Sequence, residues 1–221
     1  MRIAIIGAGN IGGNLTRRLT ALGHQVSVAN SRGPQSLEAL AAETGATPAS
    51  VGEVAQGAEL VIVTIPQRAV PGLPTRVLAG AAAGAVVVDT GNYYPQRDGR
   101  IDDIEAGMTE SRWVATQLDH PVVKAFNNLY AAHLLDRGLP AGTPGRIALP
   151  IAGDDPAAKS VVMDLVDQLG FDPVDAGSLD ESWRQQPGTP VYGTDLDAAG
   201  VARALQEASR ERPADFRAPV G

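Results

Sequence analysis

Short runs of consecutive apolar residues alternate along this chain with stretches whose apolar positions recur every three or four residues. Arg2 to Ile6, Val26 to Ala29, Glu59 to Ile65 and Ala85 to Asp89 are runs of the first kind. Unbroken β-branched runs of this length mark strands covered on both faces. Val122 to Phe126, Ile147 to Ala152 and Phe171 to Val174 repeat the signal further along. Between the first two strands, Asn10 to Leu22 carries Ile11, Leu15, Leu19 and Leu22 at helical spacing and stops at Gly23. Helices are also predicted at Pro34 to Thr44, Val51 to Gln56, Ile101 to Leu118, Leu129 to Arg137 and Pro156 to Leu169. Gln67 to Leu78 reads as a helix broken by Pro71 and Pro74. Strand and helix in turn predict an α/β fold: a doubly wound parallel sheet, the Rossmann architecture, with right-handed crossovers.

The end of the chain has a different character. Ser178 to Thr194 reads mostly as loop, and Asp195 to Ser209 as a polar helix with Leu196, Ala199, Val201 and Leu205 as its apolar stripe. A tail follows, Arg210 to Gly221, of a kind that is either disordered or laid across a partner subunit. The chain therefore divides into a Rossmann domain, 1–177, and a small C-terminal extension, 178–221. The extension is expected at an acceptor pocket and at the interface of a homodimer.

Composition narrows the function. The 221 residues are 44% hydrophobic and only 4% aromatic, so small aliphatic side chains build the core. The formal charge is −7 and no basic cluster stands out, which argues against a nucleic-acid partner. No cysteine is present, which excludes disulfides, thiolate metal sites and a cysteine nucleophile. The first strand begins at the first residues and no apolar run is long enough to span a membrane. The expectation is a cytoplasmic protein without a membrane partner.

The glycines after the first strand carry the chemistry. Gly7-Ala8-Gly9-Asn10-Ile11-Gly12 stands between a strand and a helix, and a second strand follows that helix. This is the dinucleotide fingerprint in its required context. Gly9 lets the backbone approach a pyrophosphate, Gly12 lets the helix pack on the strand, and the helix N-terminus offers free N–H groups. An NAD site usually ends its second strand in an acid that holds the ribose hydroxyls. Here that place holds Asn30, followed by Ser31 and Arg32. A hydroxyl, a guanidinium and no carboxylate suit the 2′-phosphate of NADP.

Several later segments match a known pattern. They are Thr64-Ile65-Pro66, Val88-Asp89-Thr90-Gly91-Asn92, Val123-Lys124-Ala125-Phe126-Asn127, Ile151-Ala152-Gly153-Asp154-Asp155 and Val174-Asp175-Ala176-Gly177. With the fingerprint and Asn30-Ser31-Arg32, their order and spacing resemble the family of F420-dependent NADP reductases. The chain is also similar to the cytoplasmic nucleotide domain of the STEAP metalloreductases. The resemblance covers roughly Met1 to Ser178. It implies that the nicotinamide lies over the carboxyl ends of the strands, near Ile65, Pro66, Gly91, Asn92 and Ala125, with Thr64 also among the cofactor-binding residues. It also implies an acceptor ring, a flavin or F420 as co-substrate, to which hydride passes directly.

Hydride transfer between two rings needs little acid–base help, because the cofactor carries the reaction. No triad, metal cluster or paired catalytic carboxylates stands out in the sequence. The three histidines, His24, His120 and His133, lack metal-ligand spacing. No catalytic residue is assigned. Candidate proton donors are Lys124, His133 and Tyr93, with Tyr94 and Tyr130 able to donate or to stack. Strand alternation puts Lys124 opposite Ala125, where a lysine paired to a carboxylate is the plainer reading. Three functions fit: an NADPH oxidoreductase serving a small-molecule redox acceptor such as a flavin or deazaflavin, an NADP-dependent reductase of a small carbonyl or imine, and an NADP(H)-binding sensor without turnover.

Overall fold

In the computed structural model, which describes residues 1–219, the first five apolar runs become strands of one sheet. β1 (Arg2–Ile6) lies at its centre. β2 (Gln25–Ala29) and β3 (Thr47–Pro48) extend it on one side; β4 (Leu60–Val63), β5 (Val86–Asp89) and β6 (Val123–Lys124) extend it on the other. The order is β3-β2-β1-β4-β5-β6, and all five pairings are parallel. The direction of winding reverses between β1 and β4, and ligands of such sheets bind outside the carboxyl ends of the strands at that point.

Strand alternation distributes the core over two layers. Ile3, Ile5, Val28, Ile62 and Val88 pack with Leu15 and Leu19 of α1 (Asn10–Ala21) on one face. Ala4, Ile6, Val61, Val63 and Val87 pack on the other with residues that follow α2 (Glu38–Thr44). Those partners come from the irregular segment after β4, from α4 (Asp102–Glu105) and from α5 (Glu110–Leu118), the short α3 (Pro95–Asp98) preceding them. α6 (Ala131–Asp136) lies against α1.

Two strands depart from the expected single sheet. β7 (Ala148–Ile151) and β8 (Asp172–Asp175) form a parallel pair of their own around α7 (Pro156–Gln168). One antiparallel bridge, Lys124 to Ala152, joins this pair to β6. The chain turns sharply at Phe126 (φ +63°), so β6 stops after two residues rather than running to Phe126. Pro150 and Pro173 remove donors from β7 and β8, which keeps that ladder short. The helix expected at Val51 to Gln56 is a set of turns between Gly52 and Gly57. Gln67 to Leu78 is a 3₁₀ helix, Gln67–Gly72, followed by turns, because its prolines cannot continue an α-helix.

The extension folds onto its own chain. A capping box at Ser178 and Glu181 starts a 3₁₀ helix, Leu179–Gln185. Asp197 then caps α8 (Ala198–Glu207), accepting a hydrogen bond from the Gly200 N–H at 2.8 Å. Val201, Ala204 and Leu205 of α8 pack against Ala148, Ala152 and Ala176 of the β7–β8 layer. Residues 210–219 of the tail also return to the chain: Phe216 lies 6.2 Å from the Tyr94 ring, and Ala218 N–H donates to Glu105 Oε1 at 2.9 Å. These contacts lay residues 210–219 against their own chain; positions 220 and 221 lie outside the described residues.

Candidate functional site

The glycine turn is a preformed cradle. Gly7 adopts φ +111°, which a side chain rarely tolerates, and its N–H donates to Ala29 O at 2.8 Å. Thr64 Oγ1 donates to Gly7 O at 2.7 Å, which ties the turn to the end of β4. A Cβ on Gly12 would lie 1.8 Å from Gly7 O, so only glycine lets α1 start this close to the turn. A Cβ on Gly9 would meet nothing within 4 Å, which leaves that face open to a ligand. α1 carries neither a side-chain cap nor an acid in its first turn, so its leading N–H groups and positive dipole end are available to an anion.

A cavity of about 490 Å³ opens beside this cradle. It is bounded by Gly7, Ala8 and Gly9, by Asn30, Ser31 and Arg32, and by Thr64, Ile65 and Pro66. A second one, about 630 Å³, lies on the other side of the turn, reaches along α1 to α6, and includes Gly9, Asn10 and Arg32. Arg32 therefore borders both. Its guanidinium makes no ion pair with a carboxylate among the described residues. Asn30 acts within its own loop, where its Oδ1 accepts from Arg32 N–H at 2.9 Å and its Nδ2 donates to Ser36 Oγ at 2.9 Å. It shapes the turn that presents Arg32. Ile11 sits on α1, packed against the core with its side chain partly exposed.

The residues expected at the nicotinamide end are drawn together but not all open. Ile65 and Pro66 border the cavity. Gly91 and Ala125 are buried beneath the loops. Asn92 is half-buried and joined to Asn127 twice: its Nδ2 donates to Asn127 O at 2.9 Å, and Asn127 Nδ2 donates to its Oδ1 at 3.0 Å. Gln185 Nε2 donates to Asn127 Oδ1 at 2.9 Å, so these amides stitch the ends of β5 and β6 to the extension.

Lys124 is 0% exposed. Its Nζ lies 3.2 Å from Asp89 Oδ2 and also donates to Gly91 O. Asp89 accepts in addition from Ser111 Oγ at 2.7 Å and from Gly91 N–H at 2.8 Å. The lysine is thus a buried cation that fixes the turn after β5. Tyr93 is also fully buried; its hydroxyl donates to Glu105 Oε1 at 2.9 Å, and burial pushes its pKa up to about 12. It lines neither of the two cavities beside the cradle. His133 lies 2.8 Å from Asp195 Oδ1 through Nδ1 and meets the Tyr130 ring edge-on. His24 sits beside the N-terminus and Gln168, and His120 Nδ1 contacts the next residue's carbonyl; neither borders the two cavities at the glycine turn. No group of three or more metal-ligating side chains converges among the described residues.

Beneath the extension lies a second buried charge. Glu110 is 0% exposed, accepts from Tyr93 N–H at 3.0 Å, and faces Arg212 of the tail at 2.9 Å. Burial raises its pKa, outweighing the attraction of Lys124 and Arg212. Arg212 also lies 5.3 Å from the Tyr93 ring centre and donates to Gln186 Oε1 at 3.0 Å. Ser36 and Leu73 line the two cavities, Asn128 and Tyr192 lie where the extension meets the segment after β6, and all four escape a reading of the sequence. Ser36 follows Gly33 at the offset that closes a 3₁₀ turn, which is a usable signal; Tyr192, far along a loop, offers none.

The strand order, the glycine cradle and the switch-point cavity together define a Rossmann-type fold of the dinucleotide-binding class. Residues 2–93 match the model of the family described as NADP oxidoreductase, coenzyme F420-dependent. The crystal structure of the hypothetical protein SMa0349 from Sinorhizobium meliloti is 34% identical, with a TM-score of 0.76 over 89% of this chain and 95% of that one. A candidate F420-dependent NADP reductase from Arthrobacter sp. FB24 is 28% identical, with a TM-score of 0.68 over 80% of this chain and 85% of that one. The protein YjhV of Escherichia coli is 54% identical over 72 residues, 33% of this chain and 53% of its own length. The chain thus spans about half the length of that curated relative. It belongs to the F420-dependent NADP oxidoreductase family. No helix among the described residues is long and apolar enough to cross a membrane.

Proposed function

We propose that this protein passes hydride between NADP(H) and a flavin, a deazaflavin of the F420 kind or a related redox ring. The observation that carries this reading is a contrast within one site. The cradle and Arg32 stand open to an anionic dinucleotide, while Lys124 and Tyr93 are locked into buried pairs. Reduced NADP supplies a hydride, and a flavin-type ring takes it up without a strong acid from the protein. The residues of this chain then serve to bind and to position. The leading N–H groups of α1 meet the diphosphate, Thr64 holds the turn, and Arg32 with Ser31 takes the 2′-phosphate in place of a ribose-binding acid. Lys124 and Asp89 fix the Gly91–Asn92 turn on which the nicotinamide end rests.

Reduction of a small carbonyl or imine is the second reading, and one observation favours it: Asp195 orients His133 as a partner orients a general acid. Steady-state NADPH oxidation with a panel of riboflavin, FMN, F420, small aldehydes and cyclic imines separates the two. Turnover with the rings alone supports the first reading, and turnover with carbonyls or imines alone overturns it. Tight NADPH binding with no turnover at all identifies a sensor. We also propose a homodimer. Tyr130, Leu135 and Leu139 expose an apolar face around α6, and a monomeric mass by light scattering at micromolar concentration contradicts it.

A further inference from the structure

The tail beyond α8 is seated between the residues that follow β5 and the loop 186–188. Arg212 faces the buried Glu110 at 2.9 Å, and Glu110 Oε2 accepts the Tyr93 N–H at 3.0 Å. The Arg212 guanidinium also stands 5.3 Å from the centre of the Tyr93 ring. Glu105 Oε1 accepts both the Tyr93 hydroxyl and the Ala218 N–H, each at 2.9 Å. The tail therefore holds Tyr93 at its ring directly, at its backbone through Glu110 and at its hydroxyl through Glu105. Further along, Gln96 Nε2 donates to Asp215 O at 2.5 Å, and Phe216 lies 6.2 Å from the Tyr94 ring. The opposite wall fits the tail closely. Gly188 adopts φ +86°, and a Cβ there would lie 2.7 Å from Pro213 and 2.9 Å from Phe216.

Tyr93 is fully buried and directly follows the half-buried Asn92. Two buried ion pairs thus bracket one turn. Lys124 with Asp89 holds Gly91 on one side, through the Gly91 carbonyl and N–H. Arg212 with Glu110 holds Tyr93 on the other. Asp89 and Lys124 belong to the sheet and Glu110 to α5, whereas Arg212 comes from the end of the chain. Losing it would release the Tyr93 ring and strip the buried Glu110 of its paired cation. By contrast, no residue of the extension borders either cavity at the glycine turn. The cradle and Arg32 are built without the tail.

Resting on the reading that places the nicotinamide end on the Gly91–Asn92 turn, we infer that the tail is a clamp on that turn and that Arg212 is its positioning residue. Arg212 meets neither cofactor nor acceptor. Through Tyr93 it fixes the support beneath the nicotinamide, and with it the distance to the acceptor. A displacement of about 1 Å at a reacting centre can cost about a hundredfold in rate. The adenosine half of the cofactor is held by other elements, so the clamp acts on one half of the ligand alone.

The test compares two ligands by titration: NADPH, and adenosine 2′,5′-bisphosphate, which keeps the 2′-phosphate but lacks the nicotinamide. Arg212→Met should weaken NADPH about tenfold, leave the bisphosphate affinity within about twofold, and lower kcat with riboflavin about tenfold or more. It should also melt lower, since Glu110 loses its partner. Adding Glu110→Gln removes the stranded charge and should restore the melting temperature, while the NADPH and kcat defects remain. Equal weakening of both ligands overturns the inference. So does a double variant whose NADPH affinity returns with its melting temperature, because either result makes Arg212 a stability residue only. Unchanged NADPH affinity and kcat in Arg212→Met overturn it too. Should Arg212→Met fail to fold, Phe216→Ala unseats the tail without stranding a charge and carries the same split prediction. If wild type binds neither ligand, the function proposed above fails and the clamp with it. If it binds NADPH but reduces neither riboflavin nor F420, the hydride-transfer reading fails, and the two affinities still decide the clamp.

Discussion

Arg32 stands just past the carboxyl end of β2 with no carboxylate paired to it among the described residues, in the turn shaped by Asn30. Its expected partner is the phosphate that distinguishes NADP from NAD. Arg32→Ala should raise the NADPH dissociation constant at least about tenfold, about 1.4 kcal/mol, and leave NADH affinity nearly unchanged, as read by fluorescence titration. Lys124 has the opposite character. Lys124→Met removes one partner of a buried pair and should cost about 3 kcal/mol of stability in denaturant unfolding, rather than a selective loss in kcat. Glu110 ties stability to pH. Its folded pKa lies above its unfolded value because burial disfavours the charge. The stabilisation it brings is therefore complete below its unfolded pKa and is lost as pH rises through its folded pKa. Wild type should lose stability relative to Glu110→Gln over that rise; a difference that is flat with pH contradicts the assignment. Of these residues the sequence made the position of Arg32 at the edge of the cradle legible, because a motif offset marks it. It made the burial of Lys124 legible through strand alternation. It could not show Asp89 or Arg212 as partners, since those contacts join segments far apart in the chain.

At the level of elements, α1 and its turn are the most constrained part. The predicted and observed helices differ by a single residue at the C-terminal end. The reason is that local signals agree: glycines, apolar spacing and a glycine stop all favour one structure. Gly12→Ala would force a Cβ against Gly7 O and should cost about 3 kcal/mol and abolish NADPH binding; a soluble, NADPH-binding variant would show that the cradle yields. The later elements were less legible for physical reasons. β6 looks like five residues of strand, but Phe126 turns in left-handed backbone. α8 looks like a helix without a place, yet its weak stripe of Val201, Ala204 and Leu205 fits the small alanines of β7 and β8. Small side chains make a shallow pattern in sequence and a close contact in space.

On the scale of the whole molecule, the two ends of the chain divide the work. The N-terminal half builds the cradle from local motifs. The extension closes over the carboxyl ends of β5 and β6 through Gln185, Tyr192 and Arg212. That cover explains why this side was harder to read: its polar atoms come from segments far apart in the chain, and only the fold brings them together. The central claim is direct hydride transfer to a ring. NADPH carrying deuterium at nicotinamide C4, on each face in separate runs, can be mixed with 5-deazariboflavin in a single turnover. The label on the deazaflavin C5 carbon is stable to solvent, so mass spectrometry reads its fate. Deuterium recovered at C5 from one of the two labelled forms, with NADP formed in equal amount, is the predicted result. NADPH that is bound but not oxidised by this ring or by F420, or label that reaches only a carbonyl or imine substrate, would contradict it.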